Sequence, residues 1–246
     1  HSHPNIAQVP NLNAPYGEEC RELFRPDQNM DLLGIDVSSL ELRCLSHYLA
    51  RYDNGKYGKI LLESDIHSSN QRSVGLATRD QAKTFIYGFL YGAGNEKIGQ
   101  IVGKGKAEGA KLKKEFLRKI PALKQLRDKV QNKAKSGFII GLDGRKVPVR
   151  SNHAALNTLL QSAGAIICKR WIVEMHSLLQ QEFKEGEDYA QVAFVHDEVQ
   201  LTVKREYGEK IGELGVKAIT IAGEKYKLRI PLTGEFKTGS NWATTH

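Results

Sequence analysis

Long apolar runs are missing from this sequence of 246 residues. A transmembrane helix needs roughly 20 consecutive apolar residues, and no stretch of the chain approaches that length. The first residues also lack the basic, apolar and small-residue regions of a secretory signal. We therefore expect a protein that does not enter a membrane and that works in the cytoplasm.

Cysteine is also scarce. The three cysteines, Cys20, Cys44 and Cys168, are widely spaced and odd in number. Their spacing predicts neither a zinc site nor a disulfide framework. A reducing compartment is the simplest setting for such a chain.

Several common catalytic and phosphate-binding motifs are absent. The Walker pattern G-x-x-x-x-G-K-[ST] does not occur, and the glycines and lysines over residues 103–106 have the wrong spacing for it. The sequence contains neither the G-x-S-x-G nucleophile elbow nor the H-E-x-x-H zinc motif. These absences argue against a P-loop enzyme, a hydrolase of the elbow type and a zinc protease.

Positive charge, in contrast, is abundant, and the formal net charge is +8. Residues 97–135 contain thirteen Lys or Arg and three acidic residues, a surplus larger than that of the whole chain. A concentrated basic segment favours a polyanionic partner. A solvated helical face would carry the same charge, so charge alone does not decide between these readings.

Apolar patterning predicts an α+β fold in which a helical block interrupts a sheet. A buried strand over 32–37 is followed by a helix whose start carries a capping box of Ser38 and Glu41. Helices joined by glycine-containing turns, including one at 103–109, are expected from residue 63 to about 135. The later predicted elements are a hairpin over 138–149, one long helix or two over 154–183, two strands over 190–203, a helix over 208–227, and strands over 228–231 and 233–237.

Carboxylates stand at the ends of two predicted strands. Asp197 and Glu198 lie between apolar strand residues, and Asp36 ends the strand over 32–37. Ionised carboxylates beside a core are costly unless they are compensated, and Mg²⁺ prefers such oxygen ligands. Two such acids could share a pair of metal ions that supports phosphoryl transfer. Ordinary acidic turns would give the same local pattern.

Four residues at a spacing of four form another pattern: Arg79, Lys83, Tyr87 and Tyr91. On a helix they share one face, which offers two cations and then two aromatic rings. Cations suit a triphosphate, and rings suit a base or a sugar. His67, upstream of Arg79, could contact the same phosphates. The alternatives are a salt-bridged surface ridge that ends in core tyrosines, and a structural histidine.

These segments resemble three ordered motifs of the DNA polymerase I family, or family A. Residues 36–43 resemble motif A, residues 79–92 resemble motif B, and residues 195–198 resemble motif C. Residues 157–165 resemble the family's palm helix beside the active site. The most similar branch is the replicative polymerases of short-tailed bacteriophages, whose features include residues 85–94, Asn241-Trp242-Ala243 and a final histidine, His246.

The resemblance implies a polymerase palm, an antiparallel sheet with helices, interrupted by a mostly helical fingers subdomain. Residues 1–50 would form the first part of the palm, 51–152 the fingers and 153–246 the second part of the palm. The motif B helix would cover 78–92 and the motif C hairpin 190–203. Thumb and exonuclease domains are not represented, and because the chain begins at His1 we interpret it as a piece of something longer or a processed product.

The resemblance also implies catalytic and nucleotide-binding roles. Asp36, Asp197 and Glu198 would be the catalytic carboxylates, and Asp36 and Asp197 would hold two Mg²⁺ ions with the Val37 carbonyl. Arg79 and Lys83 would bind the triphosphate with help from His67. Tyr87 would lie near the sugar, Tyr91 would stack at the insertion site, and Glu41 would help to exclude a ribose 2′-hydroxyl.

Contacts with DNA are implied for five further positions. His196 would lie near the primer end, together with Glu198. Asn157, Gln161 and Gln8 would follow the minor groove, and Arg145 would contact the template strand. The implied partners are therefore primer-template DNA and dNTPs, in the cytoplasm of a phage-infected bacterial cell, together with an upstream polypeptide that supplies the thumb and perhaps an exonuclease.

Three functions remain open from the sequence. The chain could be the catalytic half of a split polymerase, or an excised core that is active but poorly processive. It could also be a catalytically incompetent nucleic-acid-binding fragment that needs a thumb-bearing partner. A generic metal nuclease would account for the carboxylates but not for the ridge that begins at Arg79.

Overall fold

The computed structural model describes residues 5–245, which divide into two compact units. The first unit contains the residues up to Leu40 together with those from Gly164 onward, and the second contains residues 41–163. The terminal residues His1 and His246 lie outside the described range. The chain therefore passes from the first unit into the second and back again.

A four-stranded antiparallel sheet forms the centre of the first unit, with the order β4-β5-β1-β6. The second unit contains a separate two-stranded hairpin, β2-β3. An antiparallel sheet accompanied by many helices confirms the predicted α+β class. The strands are β1 (Met30–Val37), β2 (Phe138–Ile140), β3 (Lys146–Pro148), β4 (Tyr189–Val195), β5 (Glu198–Lys204) and β6 (Gly234–Gly239).

Ten α-helices occur within residues 5–245. None of the helices in this range has both the length and the apolar character needed to cross a membrane. They are α1 (Gly17–Glu22), α2 (Leu40–Asp53), α3 (Lys56–Glu63), α4 (Ile66–Val74), α5 (Arg79–Leu90), α6 (Asn95–Gln100), α7 (Lys106–Lys119), α8 (Pro121–Ala134), α9 (Ala155–Leu179) and α10 (Gly208–Lys225).

The core of the first unit forms where α10 packs on the sheet. Strand side chains alternate between faces, and Leu33, Ile35 and Val37 of β1 are all buried on one face. Gly212 and Gly215 let α10 approach closely, because a methyl group at either position would clash with Phe236 or Ile35. This packing holds β1 in the middle of the sheet, paired on both sides.

In the second unit, α5 buries its apolar face and exposes the opposite one. Phe85 and Phe89 both pack edge-to-face against Phe116 of α7, with ring centroids 5.2 Å and 5.1 Å apart. The hydroxyl of Thr78 accepts a hydrogen bond from the amide of Gln81 at 3.1 Å and caps the start of α5. The helix is thus fixed at its first turn and along its inner face.

The start of α2 differs from the sequence prediction. The helix begins at Leu40, and Ser39 before it has a φ of 53°, in the left-handed region. Ser38 therefore lies two residues before the first residue of the helix. The amide of Ser38 donates to the carbonyl of Thr233 at 3.0 Å.

Two other predicted boundaries are also wrong. Gly109 lies inside α7 rather than in a turn, because its lack of a side chain lets α7 pack against the backbone of α6. Residues 228–231 form no strand, and Pro231 has no N–H to donate to a ladder. The final strand is β6 alone.

Gly34, in the middle of β1, provides a test of this packing. A methyl group there would lie 2.6 Å from the side-chain nitrogen of Gln200 and 2.9 Å from Cβ of Thr245. Overpacking typically costs about 1–3 kcal/mol, so we expect Gly34→Ala to lower the Tm by roughly 2–10 °C in thermal unfolding. Gly94→Ala is the control, because Gly94 has a φ of −62° and no atom within 4 Å of the added methyl. Equal losses in both variants would contradict the close packing at Gly34.

Candidate functional site

The first unit brings the predicted catalytic acids together at one end of the central strands of its sheet. β1 ends at Val37, and the turn between β4 and β5 consists of His196 and Asp197. Asp36 pairs with Glu198 across the β1-β5 ladder, and the amide of Val37 donates to the carbonyl of Asp197 at 3.1 Å. Residues that are far apart in the sequence are therefore neighbours in the sheet.

The turn itself depends on a left-handed residue. His196 has a φ of 58°, a conformation that suits the two-residue turns of β-hairpins. The turn leaves His196 exposed and Asp197 half-buried. The carboxylate at 197 is thus presented at the end of two paired strands, beside the end of β1.

The three acids lie in different environments. Asp36 is exposed and Asp197 is half-buried, whereas Glu198 is only 8% exposed. The indole N–H of Trp242 donates to Oε1 of Glu198 at 2.6 Å, and the side-chain amide of Gln200 donates to the same oxygen. Glu198 is therefore held within the protein, while the two aspartates are more open to a ligand.

Carboxylates and backbone carbonyls are donor types that suit Mg²⁺. Among residues 5–245 no group of three His, Cys, Asp or Glu is arranged to hold a metal ion. Mg²⁺ usually takes one or two protein carboxylates and completes its coordination with water and substrate phosphates. Asp36, Asp197 and the Val37 carbonyl match this pattern of few protein ligands, rather than a site that is closed by protein ligands alone.

The second unit presents the predicted ridge on the outer face of α5. Arg79, Lys83 and Tyr91 are exposed and Tyr87 is half-buried. The rings of Tyr87 and Tyr91 stack with their centroids 6.2 Å apart. One face of the helix therefore carries two cations and then two stacked rings.

Arg79 is held at the start of this ridge by Asp65. Its Nε lies 2.6 Å from Oδ2 of Asp65, which is the N-cap residue of α4. The hydrogen bond from Arg79, followed by that from the Ser68 hydroxyl, keeps the pKa of Asp65 well below its usual range. Asp65 therefore remains a carboxylate and orients the guanidinium.

His67 lies beside the same ridge. Burial lowers the pKa of His67, and the positive charges of Arg79 and Lys83 lower it further. Its ring is 6.2 Å from that of Tyr87, and its Nδ1 has no hydrogen-bond partner within residues 5–245. These effects favour the neutral form of the imidazole.

Glu41 joins the other end of the ridge. The hydroxyl of Tyr91 donates to Oε1 of Glu41 at 2.7 Å. Glu41 lies in the first turn of α2, where the sequence predicted a capping role. The second unit therefore brings together all six residues predicted to bind the nucleotide: Glu41, His67, Arg79, Lys83, Tyr87 and Tyr91.

The residues predicted to contact DNA are more dispersed. Asn157 and Gln161 lie one turn apart on α9, and Oδ1 of Asn157 is buried without a partner in the described part of the chain. Asn157 also lines a cavity of about 460 Å³ beside residues 92–95. Arg145 lies in the β2-β3 turn, where it is ion-paired with Asp143, and Gln8 is exposed at the end of a short 3₁₀ helix.

The basic segment forms much of α7 and α8. Its three acids, Glu108, Glu115 and Asp128, are ion-paired within these helices. The apolar residues of both helices face inward, so most of the cations lie on the outer surface. The positive surplus is therefore displayed to solvent.

Sequence reasoning missed three residues of these clusters. Asp65 has an N-cap pattern, but its pairing with Arg79 spans fourteen residues and has no local signal. Trp242 and Gln200 surround Glu198 through contacts that only the fold creates. Trp242 was noted as a feature of the phage branch, without a role.

Comparison with known proteins places these features in a family. The sequence model of DNA polymerase family A matches residues 1–244. The chain is 47% and 48% identical to the DNA-directed DNA polymerases of Enterobacteria phage T3 and Escherichia phage T7; the matches cover 100% of this chain and 39% of each relative. It is 26% identical to DNA polymerase I of Pseudomonas aeruginosa over 28% of that protein.

The fold is also similar to that of a solved polymerase domain. The POL domain of Pol1 from M. smegmatis, in complex with DNA primer-template and dNTP, matches with a TM-score of 0.84 and 20% sequence identity. The match covers 98% of this chain and 45% of that domain. The chain thus spans less than half of the length of each of these proteins. With three motifs in order and a family match over nearly all of its residues, the chain belongs to DNA polymerase family A.

Proposed function

We propose that the chain is the polymerising core of a template-directed DNA polymerase. The observation that carries the proposal is the register that sets Asp36 beside Glu198 and Val37 beside Asp197. A nucleotide-binding ridge on α5 supports it from the second unit. The first unit would be the palm, and the fingers would lie within the second.

The reaction would be nucleotidyl transfer from a dNTP to a primer. The primer 3′-hydroxyl would release its proton to solvent as its oxygen bonds to the α-phosphorus, the bond from that phosphorus to the bridging oxygen would break, and pyrophosphate would leave. Asp36, Asp197 and the Val37 carbonyl would hold two Mg²⁺ ions, which supply charge neutralisation at the attacking and leaving oxygens. The sheet register contributes positioning, because it fixes both aspartates before a substrate arrives.

The ridge on α5 would bind the incoming nucleotide. Arg79 and Lys83 would contact the triphosphate, and Arg79 would exchange its single carboxylate partner, Asp65, for the more highly charged phosphates. His67 would assist them from beside the ridge, where it lies close to Tyr87. Tyr87 would lie against the sugar and Tyr91 at the insertion site.

Glu41 would contribute to sugar selection. Its carboxylate is fixed by the hydroxyl of Tyr91, so a ribose 2′-hydroxyl would have to compete with an existing hydrogen bond. Rejection of an added hydroxyl is strong only where a site is built against it. The Tyr91–Glu41 pair would thus link the insertion site to the choice between deoxyribose and ribose.

DNA would be held mainly through its backbone by the cations of α7 and α8, because phosphate contacts supply most non-specific affinity. Asn157, Gln161 and Gln8 would follow the minor groove, Arg145 the template strand, and His196 the primer end. A polypeptide segment outside these residues would supply the thumb and perhaps an exonuclease. This proposal is supported by the greater length of the phage relatives, and it sets the enzyme in an infected bacterial cell.

Primer extension with Mg²⁺ and four dNTPs tests the proposal. We expect template-dependent extension that falls roughly a thousandfold in Asp36→Ala and in Asp197→Ala, because each removes several kcal/mol of transition-state stabilisation. Asp31→Ala is the matched control, since Asp31 lies at the other end of β1 in a surface ion pair with Arg205. It should retain activity.

Failure of the folded chain to extend a primer would lead to the same assay with a thumb-bearing polypeptide added. Extension restored by that addition would support a split polymerase. Continued failure, with DNA binding retained, would replace the proposal with a nucleic-acid-binding fragment.

The triphosphate role of Arg79 predicts a defect in nucleotide binding. We expect Arg79→Ala to raise the KM for dNTP about 10- to 100-fold, because charge-assisted hydrogen bonds contribute roughly 1.5–3 kcal/mol. Steady-state kinetics on a fixed primer-template would measure it. Arg72→Ala, which removes an exposed cation from the last turn of α4, should leave the KM unchanged. A similar rise of the KM in both variants would indicate a general effect of lost positive charge rather than a specific role of Arg79.

The electrostatics of His67 can be measured without turnover. NMR titration should give His67 a pKa below its ordinary value, and Arg79→Ala should raise that pKa because a lowering positive charge is removed. A bound triphosphate should also raise it, since an anion favours the protonated ring. Arg72→Ala should have no effect. An unchanged pKa in Arg79→Ala would contradict the coupling between Arg79 and His67.

A further inference from the structure

The buried acid Glu198 has an unusual environment for a catalytic carboxylate. It is 8% exposed, and Oε1 accepts hydrogen bonds from the indole N–H of Trp242 and the amide of Gln200. A buried charge is costly unless it is hydrogen-bonded, and bonds to a carboxylate are among the stronger ones. Both donors reach the same oxygen, so they fix the orientation of the carboxylate as well as its charge.

Trp242 is itself fixed by the N-terminal part of the first unit. The guanidinium of Arg21 lies 4.4 Å from the centroid of its ring, and Phe24 packs edge-to-face at 5.2 Å. The backbone amide of Trp242 donates to the carbonyl of Phe24 at 3.0 Å. Arg21 in turn donates to the carbonyl of Pro10 at 2.9 Å. The indole is therefore held by both its ring and its backbone.

Gln200 is oriented by the turn that contains Trp242. The hydroxyl of Thr245 lies 3.2 Å from Oε1 of Gln200, which leaves the amide nitrogen to donate to Glu198. Gly34 provides the space that this amide occupies. Residues 241–245 thus contribute to both donors of the buried carboxylate.

We propose that Trp242 and Gln200 are positioning residues that hold Glu198 beside Asp36 and Asp197. The register of β1 and β5 pairs Glu198 with Asp36, so a rotation of the Glu198 carboxylate would change the field at the aspartates. The turn over 241–245 is then part of the catalytic apparatus. This inference rests on the proposed polymerase function.

Trp242→Phe tests the inference, because it removes the N–H donor and keeps an aromatic ring. Trp171→Phe is the matched control: Trp171 is also fully buried in the first unit, and its N–H donates to the carbonyl of Gly215 at 2.9 Å. We expect kcat for primer extension to fall about tenfold or more in Trp242→Phe, with the KM for dNTP within about twofold of the unmodified chain. Trp171→Phe should keep kcat, and equal losses in the two variants would overturn the inference.

A double-mutant cycle separates positioning from general structural support. Glu198→Ala should lower kcat, and Trp242→Phe should add no further loss in that background, because its partner is gone. Independent, additive losses would overturn the inference. If Trp242→Phe does not fold, Gln200→Met removes the other hydrogen-bond donor at similar side-chain volume. Thr202→Val, on the same strand, is its control. Equal kcat values in these two variants would also reject the inference.

A fluorescence readout distinguishes failure of the inference from failure of the proposed function. The chain has two tryptophans, so Trp171→Phe leaves Trp242 as the sole indole emitter. Its emission should shift when Glu198→Ala is added, and also on titration with Mg²⁺ alone, with the Mg²⁺ response lost in Asp36→Ala and Asp197→Ala. Lack of extension by the unmodified chain, both alone and with a thumb-bearing polypeptide added, would reject the polymerase function, and the emission would then decide the inference alone. No shift in either experiment would overturn it.

Discussion

The antiparallel pairing of β1 with β5 determines which charged side chains can act together in the first unit. β1 lies between β5 and β6, and its buried face is fixed by close packing against α10. A shift of one residue would turn Leu33 and Ile35 away from the core, so the register has little freedom. The same register sets Asp36 opposite Glu198. Core packing thereby fixes the positions of the acids.

Three charged side chains of the candidate site, one in the first unit and two in the second, are each held by their own hydrogen-bond partners. Asp65 orients Arg79, Tyr91 anchors Glu41, and Trp242 with Gln200 holds Glu198. Each partner limits side-chain rotation, so less conformational entropy remains to be lost when a substrate binds. The strength of each of these interactions depends on how exposed it is to solvent. The Asp65–Arg79 pair is open to water, whereas the bonds to Glu198 are buried.

Local patterns predicted the elements of the candidate site but not the contacts between them. Alternating and helical periodicity located β1, the β4-β5 turn and the ridge on α5, because each signal lies within a few residues. The left-handed Ser39 was missed, because a turn between a strand and a helix can satisfy Ser38 through a distant carbonyl. The bond from Trp242 to Glu198 joins residues 44 positions apart, and no periodicity encodes such a pair.

Because Glu198 is buried, it needs hydrogen-bond donors from the protein. One of these donors is held by residues from both the N-terminal and the C-terminal parts of the first unit. A carboxylate among apolar neighbours would favour the neutral form unless donors stabilised its charge, and one donor satisfies few of its lone pairs. Gln200 comes from the adjacent position on the same face of β5, but Trp242 comes from the C-terminal turn and is clamped by Arg21 and Phe24. A more exposed acid would not need these hydrogen-bond donors from the protein, because water would solvate its charge. These contacts therefore hold the Glu198 carboxylate in one orientation, opposite Asp36 in the register of β1 and β5.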